Sequence, residues 1–247
     1  MANAEHLALL RMGGDRWNEW RSHAPNITPD LSHANLISFD LQGVNLRHAN
    51  LQNANLAFAL LRAADLSYAD LTLAALRSAQ LQAANLSDAL LVGATLQQAD
   101  LREASFYRAN LTGADLSYAN ARATNFAYAN LERSSLAYAN LQRATLNHAN
   151  LCKANLLETE LINAYLFEAQ LQGAQLVATH LSRAYLFGAN FQHATLIRAD
   201  LRWATLSYAN LDGAILQDTD LSRSILQPPC PSASLNSRKH NSQAQLE

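Results

Sequence analysis

The chain has 247 residues, room for one large domain or two small ones, with 15% charged and 7% aromatic residues in an Ala- and Leu-dominated composition. A formal net charge of −2 excludes a global electrostatic pull toward nucleic acid or anionic membrane. The two cysteines, Cys152 and Cys230, lie far apart without metal-ligand spacing and read as unconnected thiols of a reducing compartment.

The first residues predict two short helices. Asn3 caps one that carries Leu7, Leu10 and Met12; Gly13 and Gly14 end it; Asp15 caps a second, with Trp17 and Trp20 three apart on one face. The apolar stretch Leu7 to Leu10 has no basic leader and is too short for a signal peptide or a membrane span, so a soluble cytoplasmic protein is expected.

From Leu31 to Leu226 a strict five-residue period takes over. It runs through 40 positions, of which 36 are Leu, three are Phe (Phe106, Phe126, Phe191) and one is Ala121. Calling each such position i, a second column at i−2 holds Ala at 31 of the 40, with Thr or Ser at Thr124, Ser134, Thr159, Thr179, Thr219 and Ser224. Residues i−2 and i share a side only in extended chain, where side chains alternate. Because five is odd, the chain must turn once per repeat to keep every Leu inside. The corners fall at i+1 and i+2, and all six glycines of the region occupy i+2. No proline interrupts Asp30 to Gln227, where backbone N–H groups are needed between coils. Asn or Asp is favoured at i−1, as at Asn45, Asn50, Asp65, Asp70 and Asn140, and is expected to brace the corners.

Runs such as Ala54-Asn55-Leu56, Ala69-Asp70-Leu71 and Ala139-Asn140-Leu141 resemble the A-(D/N)-L-x-x unit of the pentapeptide-repeat family, over about four fifths of the chain. That resemblance implies an all-β solenoid: a right-handed quadrilateral parallel β-helix with four repeats per turn, hence about ten coils. The opening segment, with Leu9-Leu10, Gly13, Trp17, Trp20 and Pro25, is similar to the leader on many bacterial, notably cyanobacterial, members of the family, and implies a helical cap over residues 1–29. The β-helix then occupies 30–227. After Pro228, Pro229 and Pro231 a polar segment without apolar period, 228–247, reads as a disordered tail. Ile215 and Ile225, at the normally polar i−1 position, leave the last coil apolar, so the chain is expected as a monomer or an end-to-end homodimer. Ala121 leaves a gap in the Leu column that Phe106 and Phe126 are expected to fill.

With twenty residues per turn, positions twenty apart stack on one face. The face of Leu46, Leu66 and onward to Leu226 carries His48, Tyr68, Tyr107, Tyr128, His148, Phe167, Phe187 and Tyr208, with Tyr165 and Tyr185 in place of Asn or Asp. Tyr165, Phe167, Tyr185, Phe187 and Tyr208, with Trp203 nearby, form the candidate partner-binding surface. The adjacent face carries Arg62, Arg102, Arg122, Arg143, Arg183, Arg202 and Arg223 against six acidic residues and reads as a mutually paired, solvated stripe, not a nucleic-acid track. A third face offers Leu157, Val177 and Ile197 as a short apolar ladder. The histidines lack metal-ligand spacing, and no phosphate loop or nucleophile elbow occurs. The sequence therefore points to a non-catalytic scaffold or regulator that needs no cofactor or metal and binds a protein partner. The alternative is DNA mimicry directed at a topoisomerase, from which the chain departs in its near balance of 16 acidic and 13 basic residues over the array.

Overall fold

The computed structural model describes residues 2–227. Two helices, α1 (Ala4–Arg11) and α2 (Gly14–His23), precede a chain that winds without helices, and each repeat contributes one parallel β-bridge. The bridges join residues twenty apart, from Asp30↔Asn50 to Thr205↔Ile225, so each coil contains four repeats. This is a four-sided parallel β-helix.

Within a repeat, nearly every backbone donor has an assigned partner. Leu31 N–H reaches Asn50 O in the next coil at 2.8 Å, His33 N–H reaches Gln52 O at 2.8 Å, and Asn55 N–H reaches back to Ala34 O at 2.9 Å. A fourth, from Ala34 N–H to Leu31 O at 3.1 Å, closes the turn. The same pattern recurs along the array and leaves one orphan per repeat, the N–H at i+1. An Asn or Asp at i−1 accepts it: Ala127 N–H to Asn125 Oδ1 at 3.0 Å and Ser117 N–H to Asp115 Oδ1 at 2.9 Å are typical. The bracing expected of these residues is thus a satisfied donor. Asn120 departs from the pattern, since its Oδ1 is buried without a partner.

At every described corner, from His33 to Arg223, residue i+2 has positive φ while i+1 does not, the signature of a type II turn. Glycine takes this conformation freely, but most corners hold other residues, with φ between 51° and 62°. None of them is Val, Ile or Thr, because β-branching crowds the backbone there. Branched residues occur at i+1 instead, as at Ile37, Thr72, Val92, Ile162 and Val177.

The Leu column is buried from Leu31 to Leu211, and Ala at i−2 fills the space beside it. Buried hydroxyls at i−2 are all bonded: Thr124 Oγ1 donates to Leu101 O at 2.7 Å, Thr159 Oγ1 to Leu136 O at 2.8 Å, Thr179 Oγ1 to Leu156 O at 2.7 Å and Ser134 Oγ to Leu131 O at 2.7 Å. Phe106 and Phe126, on either side of the level of Ala121, are buried and stacked with centroids 5.0 Å apart. At the C-terminal end the column opens: Ile215, Ile225 and Leu226 are exposed.

The helices meet the first coil through its unpaired edge. Trp17 is fully buried and donates Nε1–H to Asn45 O at 2.7 Å; Arg21 Nη2 donates to Arg47 O at 3.0 Å; Asn3 N–H reaches Asp30 O at 3.0 Å. Asn45 N–H finds Asn18 Oδ1 at 2.8 Å, and Asp30 N–H finds His6 Nδ1 at 3.0 Å. Each of these edge groups would pair with a preceding coil if one existed. Phe39 and Val44 replace Ala at i−2 in this first coil, and Gly14 lies close against Val44. Asn3 caps α1 as expected, accepting from Glu5 and His6 N–H. Two expectations are corrected. The N-cap of α2 is Gly13 (φ 104°), so Asp15 sits in the first helical turn, where its charge still suits the helix dipole. Met12 is the exposed C-cap of α1 and not part of its packed face.

Candidate interaction surface

Type II corners throw residue i+2 outward and leave i+1 lying along its counterpart twenty residues away. Aromatic residues in these two columns therefore meet ring on ring. On the face of Leu46 to Leu226 they form a chain of contacts. Tyr107 meets Tyr128 edge-on at 5.7 Å, Tyr128 stacks on His148 at 4.7 Å, and His148 meets Phe167 edge-on at 5.2 Å. Phe167, Tyr185 and Phe187 are mutually parallel within 15°, at centroid distances of 5.7 to 6.4 Å, and Phe187 meets Tyr208 at 5.0 Å.

The phenylalanines are half-buried between their neighbours, whereas the tyrosines stand out: Tyr165 is 52%, Tyr185 38% and Tyr208 51% exposed. Tyr165 pairs its backbone with Tyr185. A tyrosine at i−1 cannot brace the corner, and Asn147 in the coil below supplies the lost acceptor, taking Phe167 N–H at 3.0 Å. Glu168 borders the cluster, 3.4 Å from His148 Nδ1 and leaning over Gly188. The structure thus brings together Phe167, Tyr185, Phe187 and Tyr208, with Tyr165 beside them.

Trp203 does not join them. It stands on the neighbouring corner, where the Arg223 guanidinium lies 4.6 Å from its ring centroid. Sequence reasoning missed a second aromatic stack, Tyr118 on Tyr138 at 4.9 Å, although their twenty-residue spacing was the available signal. Trp17 and Trp20 pack against each other at 5.0 Å, but Trp17 is buried with its N–H engaged; only Trp20 borders a shallow depression, shared with Leu9, Met12, Arg16, Glu19 and His23.

Two of the seven arginines of the stripe are ion-paired; among the described residues Arg62, Arg122, Arg143 and Arg183 have no ion pair, and Arg223 lies over Trp203. Arg102 holds Asp100 at 2.6 Å, and Arg202 holds Asp200 at 2.8 Å with Asp220 at 3.7 Å. The hydrogen bond from Arg202 holds the Asp200 carboxyl below the usual range. Burial would raise Asp100, but bonds from Arg102 and Gln82 outweigh it and lower its pKa. Cys152 is a free thiol directed at Gln172 Oε1, and burial pushes its pKa up. Cys230 and the rest of 228–247 lie outside the described residues. Among the described residues no group of three or more His, Cys, Asp or Glu could hold a metal ion, and no helix is long and apolar enough to cross a membrane. The arrangement presents a stacked aromatic surface bordered by charged side chains.

The family model of pentapeptide repeats matches overlapping segments from residue 30 to residue 223. Among solved structures, the chain is similar to HetL, a pentapeptide-repeat protein involved in heterocyst differentiation regulation from the cyanobacterium Nostoc sp. strain PCC 7120. The identity is 31%, over 84% of this chain and 92% of HetL, with a TM-score of 0.50. It also shares its fold with trypsin-treated QnrB1, a plasmid-mediated fluoroquinolone resistance protein, at 22% identity over 81% of this chain and 87% of that one, TM-score 0.52. No curated protein matches significantly.

Proposed function

Because the chain belongs to the pentapeptide-repeat family, we propose that it is a non-catalytic scaffold or regulator, and that the column of Tyr165, Phe167, Tyr185, Phe187 and Tyr208 docks a protein partner. The observation that carries this reading is the cluster itself: three parallel rings with exposed tyrosines on a backbone hydrogen-bonded to the coils on either side. Such a surface loses little conformational freedom on binding, which favours affinity. Trp203, paired with Arg223 one corner away, serves as a rim residue. The involvement of HetL in regulation supports a regulatory role.

The remaining parts follow from the same reading. Residues 1–29 cap the first coil of a ten-coil body that extends over 30–227; the protein works in the cytoplasm, as a monomer or as an end-to-end dimer through the apolar last coil, which light scattering distinguishes. Topoisomerase inhibition by DNA mimicry is the second reading. Against it stand the near balance of 16 acidic and 13 basic residues over the array and the arginine engaged by each of Asp88, Asp100 and Asp200, which disfavour a phosphate-like track. A gyrase supercoiling assay decides that point. For the scaffold reading, Tyr165, Phe167, Tyr185 and Phe187 are changed together to Ser, and partner capture from the source organism is compared by cross-linking pulldown. Loss of capture is expected; unchanged capture removes the column from consideration.

A further inference from the structure

Half a turn from the aromatic column, on the face of Leu116 and Leu136, two tyrosines stand at successive corners. Tyr118 and Tyr138 both occupy i+2, and their rings stack with centroids 4.9 Å apart and planes within 8°. The ladder holds them in this register: Tyr118 N–H reaches Ala137 O at 3.0 Å, and Tyr138 N–H reaches Leu157 O at 2.9 Å. Both side chains are open to solvent, Tyr118 59% and Tyr138 40% exposed. Other tyrosines on adjacent coils are arranged differently. Tyr107 meets Tyr128 edge-on, with planes 77° apart. Tyr185 turns its ring to Phe167 and Phe187, which have no phenol to oxidise. Among the described residues, Tyr118 and Tyr138 are thus the one parallel stack of two phenols.

We propose that this pair is a modification site, at which one-electron oxidation by a haem peroxidase with hydrogen peroxide joins the two coils through a dityrosine bond. Each phenol gives up one electron and its phenolic proton, leaving a phenoxyl radical whose unpaired spin lies partly on the ring carbons ortho to the oxygen. The two radicals couple through one ortho carbon each, forming a carbon–carbon bond. The hydrogens on those carbons then move to the oxygens and restore both phenols. In sum, two electrons and two protons leave the pair and convert one peroxide into two waters. Coupling requires a partner radical close at hand, and the stack supplies one with no chain motion beyond rotation of the rings. Exposure of both rings admits the oxidant, while the buried Leu116 and Leu136 beneath them hold the two coils in register. The product is a covalent staple between neighbouring coils in the middle of the body, where each coil is otherwise joined to the next by packing and hydrogen bonds. It stands independently of the docking surface on the opposite face.

The test oxidises the full chain, as an equal mixture of isotopically heavy and light protein, with a haem peroxidase and hydrogen peroxide. Trypsin then places Tyr118 in peptide 109–122 and Tyr138 in peptide 134–143, each with a single tyrosine. A linked pair of these peptides, lighter than their sum by two hydrogens, is expected by mass spectrometry as the principal dityrosine product. At about 10 µM protein, groups held together at a millimolar effective concentration should link within one chain about a hundredfold more often than between heavy and light chains. Tyr138→Phe keeps a ring in the stack but cannot form the radical, so it should remove this linked pair and most of the dityrosine fluorescence. Absence of the link between 109–122 and 134–143 would overturn the proposal. So would a link formed as often between chains as within one, a yield no greater than that of Tyr107 with Tyr128, or undiminished fluorescence in the Tyr138→Phe variant.

Discussion

The corner geometry makes a demand that can be tested at a single exposed residue. Ala83 stands at i+2 with φ 55°, exposed, over the equally small Ala63 of the coil below. An L-residue in this region already costs about 1–2 kcal/mol relative to the usual conformations. A second branch at Cβ closes on the backbone, and Ala83→Val should cost roughly 1–2 kcal/mol more, within the range seen for residues held in sparsely populated conformations. For a body of this size each kcal/mol lowers Tm by about 2–4 °C, so a fall of about 2–8 °C is expected by differential scanning calorimetry. The control is Ala57→Val at an i+1 position, stacked over Ile37, where φ is not positive and branched residues occur naturally. It should stay within about 0.5 kcal/mol of the parent. Because each coil contacts only its neighbours, hydrogen exchange should localise the loss to the bonds Ala83 N–H to Arg102 O and Ala63 N–H to Gln82 O. If Ala83→Val and Ala57→Val melt together, the corners do not enforce positive φ and the account of why branched residues avoid i+2 is wrong.

Three further outcomes follow. Trp17→Phe leaves Asn45 O without its donor and should lower stability by about 1–3 kcal/mol, read from the denaturation midpoint; an unchanged midpoint would mean that α2 does not secure the edge of the first coil. Ala121→Leu should destabilise by about 1–3 kcal/mol through overpacking if Phe106 and Phe126 already fill that level, and a gain in thermal stability would reveal a void instead. Asp200 has a depressed pKa in the folded chain, so its contribution is present above the unfolded carboxylate pKa and is lost as pH falls through the lower folded value. Asp200→Asn should therefore lower stability, read from the denaturation midpoint, at neutral pH, where the contribution is complete, with the difference from the parent shrinking as pH falls through the folded value; a difference of zero at neutral pH would show that the Arg202 bond does not persist in solution.

Much of the surface was legible because twenty-residue stacking follows once the five-residue period and four-sided coil are accepted. That arithmetic places Phe167 over Phe187 and Tyr165 over Tyr185 without coordinates. It was less informative across corners. Trp203 is near the cluster in sequence register, yet its ring turns to Arg223, since side chains on adjacent corners diverge. The role of Asp15 was misplaced because a Gly13 with positive φ begins the helix two residues earlier than an Asp15 cap would.

By itself, the amino-acid sequence settled which residues lie inside and which outside, because an odd period with Leu at i and Ala at i−2 keeps one apolar side only if extended chain turns at every repeat. The tertiary structure decided what the polar and aromatic residues do with that placement. Asn and Asp at i−1 answer the one donor per repeat that the ladder leaves unpaired, the N-terminal helices supply partners to the first coil's open edge, and the rings on one face meet in a continuous run. The first of these pairings is local to a corner, two residues apart; the cap contacts and the rings of successive coils join distant parts of the chain, and their geometry exists only after the coils have stacked.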